Sequence, residues 1–140
     1  MKPGDGCAVE ARMACLPAAI AFVEAFCVEH AIGRADGLRL TLVVEEMFTN
    51  TVEHGHGGDC DAPVRIELTA RPEAIELLYE DSAPAFDGQA GATAADLDAP
   101  VGGRPVGGVG LLLIRTLATS IRHARENGRN RWWIVLPRRP

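Results

Sequence analysis

The chain has 140 residues, 47% hydrophobic and 24% charged, a soluble globular composition long enough for one proper core and read as a single domain, 1–140. Its formal net charge of −5 and its seven aromatic residues (four Phe, two Trp, one Tyr) argue against nucleic acid as a partner. No apolar stretch approaches the length of a membrane span and the N-terminus lacks a charged-then-apolar signal, so a cytoplasmic protein with no membrane partner is expected.

Charge is unevenly spread. Residues 1–114 carry seven Lys/Arg against eighteen Asp/Glu, whereas residues 115–140 carry seven Arg against Glu126 alone. That basic end suits a partner or a phosphate, and equally a solvated strand edge protected by charge. Cys7, Cys15, Cys27 and Cys60 show no C-x-x-C spacing and no neighbouring histidine pair, so they read as small apolar residues in a reduced compartment, not as a zinc site or a disulfide framework.

In chain order, residues 7–15 partly alternate and predict a first strand. Residues 16–32 predict a helix, with Pro17 tolerated in its first turn and Gly33 ending it. A long amphipathic helix follows over 38–55, with Asp36 as its N-cap and apolar residues at Leu40, Val43, Val44, Met47, Phe48 and Thr51. Two strands, 63–70 and 74–80, pair as a hairpin around Arg71-Pro72-Glu73 and run into Asp81. Residues 82–108 lose periodicity and fill with Ala, Gly, Pro and Asp, the composition of a lid or binding loop. Glycines then open an apolar helix over 111–119, and 121–126 with 131–136 close the chain as a hairpin around Asn127-Gly128. The expected fold is α+β: a two-layer sandwich whose mixed, mostly antiparallel sheet carries helices on one face.

Three local features carry chemistry. Glu46 and Asn50 lie four apart on one side of the long helix, with His54 continuing the row. An amide oxygen suits a hard divalent cation, and a carboxylate one turn away can accept or orient a proton. Alone, E-x-x-x-N is as readily a solvated helix face. Asp81, at a strand end before Ser82-Ala83-Pro84-Ala85-Phe86-Asp87, can accept a hydrogen bond from an exocyclic amine, although a lone aspartate there is as readily a turn residue. Five glycines among residues 102–110 lead into a helix, where bare backbone N–H groups and the helix N-terminus make a phosphate cradle.

Taken together these segments resemble the GHKL superfamily, the Bergerat ATP-binding fold, and more narrowly its stand-alone anti-sigma-factor serine kinases of bacterial partner switching. VVEEMFTNTVEHG resembles the N-box, DSAPAFD the first glycine box and GGVGLLLIR the second. The resemblance implies Glu46 as general base, Asn50 as Mg²⁺ ligand and Asp81 as the adenine-reading aspartate. It places Ala83 and Phe86 beside the nucleotide and Arg104 near its phosphates. Gly108, Val109, Gly110 and Leu111 match the phosphate loop, and His54 a packing histidine. Ala83 stands where the family carries glycine, so its methyl group is expected to crowd the adenine and weaken ATP affinity.

By resemblance, then, the chain is expected to bind ATP with Mg²⁺ and to phosphorylate a serine or threonine of a STAS-domain anti-anti-sigma partner. A sigma factor or another regulatory target is the second expected partner, and a homodimer is compatible with the family. The alternatives are a detached histidine-kinase catalytic domain, a plain ATPase, and a module whose partner affinity is switched by nucleotide without turnover.

Overall fold

The computed structural model describes residues 6–84 and 108–139. Strand β1 (Gly6–Glu10) is followed by a 3₁₀ turn at Met13–Cys15 and helices α1 (Leu16–Glu29) and α2 (Arg34–Thr49). A π-helical turn, Asn50–Gly55, extends α2; then come β2 (Pro63–Ala70), β3 (Ala74–Asp81), α3 (Gly108–Leu117), β4 (Ser120–Glu126) and β5 (Arg129–Pro137). The five strands form one sheet in the order β1-β2-β3-β5-β4. All four pairings are antiparallel, so the mixed, mostly antiparallel sheet expected has no parallel pair among the described strands.

Alternation decides which face the helices cover. Val64, Ile66 and Leu68 of β2, Ile75, Leu77 and Tyr79 of β3, and Trp132, Ile134 and Leu136 of β5 all point inward and are buried. The apolar stripe of α2 meets them with Leu40, Val43, Val44, Met47 and Phe48, and α1 adds Ala19, Val23 and Phe26. Each fully buried Leu, Ile, Val or Phe contributes about 1.5–3 kcal/mol, so this single layer carries most of the favourable term. The intervening residues of each strand face away from the helices.

Several element ends differ from the sequence reading. The first strand stops at Glu10, because Ala11 turns in to bond the 60–62 segment (Ala11 N to Ala62 O 2.8 Å, Cys60 N to Ala11 O 2.9 Å). Helix α1 ends at Glu29, and Ala31, not Gly33, takes the left-handed conformation (φ 54°). Gly33 is the extended residue before α2, so Asp36 lies inside the first helical turn and is not its N-cap. There it is buried, accepting Arg39 Nη1 at 2.7 Å and the backbone N–H of Arg139 at 2.8 Å. The last hairpin turns on Asn127 (φ 54°) and Gly128 (φ 74°), two left-handed residues in a row, as a two-residue turn of this kind requires.

The basic C-terminal end is largely engaged within the molecule. Arg138 donates to His30 O (2.8 Å) and Arg71 O (3.0 Å), tying the last strand to α1 and to the β2–β3 turn. Arg129 and Arg131 both reach Glu80, at 3.3 and 2.9 Å. The four cysteines are free and half-buried. Among the described residues no helix is long and apolar enough to cross a membrane.

Candidate functional site

The site begins where α2 changes its winding. From Asn50 the chain widens into a π-helical turn, sealed by His56 N to Thr51 O at 2.9 Å, a bond across five residues. A π-turn advances more residues per revolution than an α-helix. Glu46 and Asn50 are both half-buried, but His54 drops out of their row and is exposed. Thr51 and Val52 turn fully inward.

Thr51 is the residue that joins this turn to the sheet. Its hydroxyl lies 2.7 Å from Asp81 Oδ2, 2.6 Å from the Tyr79 hydroxyl and 3.0 Å from Met47 O. Tyr79 in turn reaches Met47 O at 3.2 Å. Thr51 is thus able to donate to Asp81 while Tyr79 donates to Thr51 or Met47 O, which satisfies both buried hydroxyls. The other carboxylate oxygen, Asp81 Oδ1, accepts Asn130 Nδ2 at 2.7 Å and the Ala83 N–H at 3.2 Å. Asn130 Nδ2 also donates to Ala83 O (2.9 Å), and Arg125 Nη1 spans Asn130 Oδ1 (2.8 Å) and Ala83 O (2.9 Å).

Asp81 is 6% exposed, so it is fixed by β3 behind it, Thr51 on one side and the β4–β5 hairpin on the other. A carboxylate offers about four lone-pair directions. Among the described residues three are used, and the one remaining on Oδ2 can accept one further donor. That capacity fits an exocyclic amine such as the 6-amino group of adenine.

The remaining site residues divide by position. Gly108, Val109 and Gly110 form the first turn of α3 and Leu111 follows; α3 packs beside α2 and buries Ile114. The first amides of a ten-residue helix have no partners within it and favour an anion. Phe86 and Arg104 lie outside the described residues. Among the described residues no cluster of three or more His, Cys, Asp or Glu could hold a metal. A lone Asn50 amide still fits Mg²⁺, which takes one or two protein ligands and completes its shell with phosphate oxygens and water.

Ala83 is buried, and its methyl group lies against Gly55: a Cβ built on Gly55 would meet Ala83 Cβ at 2.7 Å. The Ala83 side chain is thus packed against the π-turn. Sequence reasoning missed five residues of this network: Thr51, taken only as part of the apolar stripe, and Gly55, Tyr79, Arg125 and Asn130. The detectable signal was period two in the last strand, which puts Asn130 on the same inward face as Trp132 and Ile134.

Two expectations follow. Gly55→Ala would otherwise gain some stability from a stiffer unfolded chain; here it should lose about 1–3 kcal/mol through overpacking. Adding Ala83→Gly should recover most of that loss in urea melts, whereas additive losses would show that the two positions do not collide. The second concerns pH. Burial first, and the Asp81 charge next, hold the Tyr79 phenol well above its usual range, with the Thr51 hydrogen bond opposing. The folded state keeps this proton where the unfolded chain releases it, so stability should decline as pH rises past about 10. Tyr79→Phe should flatten that decline while costing about 0.5–1.5 kcal/mol near neutrality; an equally steep alkaline decline would contradict the assignment.

The profile of the histidine kinase-like ATPase domain matches residues 9–136. The serine-protein kinase RsbW of a serotype 4a strain of Listeria monocytogenes is 28% identical over 94 residues, covering 64% of this chain and 59% of that protein. The same kinase from two serotype 4b strains matches equally. This chain thus spans about three fifths of the length of the curated relatives it matches. Among solved structures, the histidine kinase domain of the blue-light activated histidine kinase from Erythrobacter litoralis shares the fold, with a TM-score of 0.52 and 17% identity over 87% of this chain and 60% of that one. A family profile covering nearly the whole chain, over a fold of this order and topology, shows that the chain belongs to the histidine kinase-like ATPase domain family.

Proposed function

We propose that this chain, read as one domain over its whole length, is an ATP-dependent serine/threonine protein kinase and anti-sigma-type regulator. Its substrate would be a STAS-domain anti-anti-sigma protein, and a sigma factor or comparable target would be its second partner. The observation that supports this best is the Thr51–Asp81 bond of 2.7 Å, which ties the helix turn bearing Asn50 to the strand end bearing the adenine-type acceptor. The 28% identity to a serine-protein kinase favours hydroxyl phosphorylation over the other chemistries of the family.

Each residue then has a role. Asp81 accepts the 6-amino group of adenine with its remaining lone pair. The first amides of α3, at Gly108 to Gly110, face the phosphates, and Leu111 begins the apolar part of that helix. Asn50 gives its amide oxygen to Mg²⁺, which when bound neutralises phosphate charge. Glu46, one turn earlier, takes the proton from the attacking serine or threonine hydroxyl as its oxygen bonds to the γ-phosphorus and ADP departs. Phosphoryl transfer asks the protein mainly for such positioning and charge neutralisation. Ala83 and Phe86 border the base and Arg104 serves the phosphates.

The test is phosphate transfer from radiolabelled ATP to a candidate STAS protein. Glu46→Gln should keep nucleotide binding and slow transfer by about 10²–10⁴-fold, the usual worth of a general base. Asn50→Ala should remove the metal-dependent part of ATP affinity in calorimetry. Unimpaired transfer by Glu46→Gln would remove Glu46 from the mechanism. ATP hydrolysis without any labelled partner would replace the kinase with a plain ATPase or a nucleotide-gated switch.

A further inference from the structure

We infer that Arg125 is a positioning residue for the base. By holding the side-chain amide of Asn130, it keeps one oxygen of Asp81 closed and sharpens the choice of a 6-amino purine over a 6-oxo one. The inference rests on Asp81 as the acceptor of the base, as proposed above.

Arg125 is an exposed residue of the edge strand β4 and stands directly opposite Asn130 of β5. The hairpin there is already closed by its Asn127-Gly128 turn and its own ladder, so a further tie adds little to the fold. Other cations of this hairpin find carboxylates: Arg129 and Arg131 go to Glu80, and Arg131 also to Glu126. Arg125 pairs with no carboxylate among the described residues. Its Nη1 gives its two hydrogens to two neutral oxygens, Asn130 Oδ1 at 2.8 Å and Ala83 O at 2.9 Å.

These partners leave the Asn130 amide a single orientation. A carboxylate and a carbonyl only accept, and a guanidinium only donates. Nδ2 must therefore face Asp81 Oδ1 (2.7 Å) and Ala83 O (2.9 Å), with Oδ1 turned to Arg125. A flipped amide would set its oxygen against two acceptors and its NH₂ against the cation. So held, Asn130 and the Ala83 N–H fill Asp81 Oδ1, while among the described residues Oδ2 carries Thr51 alone. The guanidinium, the amide and the buried carboxylate also form one polarised path, in which each hydrogen bond strengthens the next. Loss of the cation removes one of the three restraints on the amide and loosens the donor that closes Oδ1. Asp81 then has a second oxygen open to water, and a donor at the 6-position of the base gains less over an acceptor.

Calorimetric titration with Mg²⁺-ATP and Mg²⁺-ITP tests this, because the two bases differ only at the 6-position and the N1 proton. The quantity read is the ratio of the two dissociation constants. Arg125→Met should cut the wild-type preference for ATP by about three- to tenfold, the size of coupling between hydrogen-bonded neighbours, with circular dichroism unchanged. Arg125→Lys keeps the charge and a donor and should retain most of the preference. With the amide removed by Asn130→Ala, adding Arg125→Met should change the ratio far less than it does alone. A role in the fold only would weaken both nucleotides equally. An unmoved ratio, an unfolded Arg125→Met, or an undiminished effect in the Asn130→Ala background would each overturn the inference. A wild type that prefers neither nucleotide would overturn it differently, by removing Asp81 as the acceptor of the base.

Discussion

The structure turns on one buried carboxylate. Asp81 ends the central strand with almost no access to water, and a charge in that position is tolerable only when its oxygens are occupied. Two distant segments and a neighbour supply the donors: Thr51 from the end of the long helix, Asn130 from the last hairpin, and Ala83 two residues on. Each bond also fixes the segment that provides it. Thr51 continues the inward stripe of α2 at the start of the π-turn, and Arg125 holds Asn130 and the Ala83 carbonyl together from the hairpin's other strand. A site and the joints of the fold are thus built from the same hydrogen bonds.

Alternation along the strands gives the sheet two different surfaces. The inward residues are nearly all apolar until β3 and β5 reach Asp81 and Asn130, so the polar end of the core coincides with the candidate site. Outward residues are charged and paired at the margins, as with Glu80 between Arg129 and Arg131, yet apolar at Leu78, Trp133 and Val135. The helix-covered face carries the hydrogen-bonded network around Asp81, while the opposite face mixes charged margins with an apolar centre.

Much of this was legible from residue order. Period two in β2 and period 3.6 in α2 fix the buried faces, and the three boxes fix the family, because such patterns are local. The π-turn was not legible: NTVEHG reads as more α-helix, and nothing in its residue types announces the bond from His56 N to Thr51 O. Asp36 has the look of an N-cap, but its partners Arg39 and Arg139 include one a hundred residues away, which no local rule sees. The packing of Ala83 against Gly55, twenty-eight residues earlier, is another contact that residue order does not announce. Contacts between distant segments decided the Asp36 and Ala83 differences.

The central claim is that Asp81 keeps one acceptor free for an amine in an otherwise satisfied site. Calorimetric titration of wild type and Asp81→Asn with Mg²⁺-ATP and Mg²⁺-GTP tests it most directly, because adenine donates at its 6-position and guanine accepts there. ATP should bind wild type at least tenfold tighter than GTP, a difference of about 1.4 kcal/mol, and Asp81→Asn should lose that preference while remaining folded. Equal affinity of wild type for the two nucleotides, or an unchanged preference in Asp81→Asn, would contradict the account.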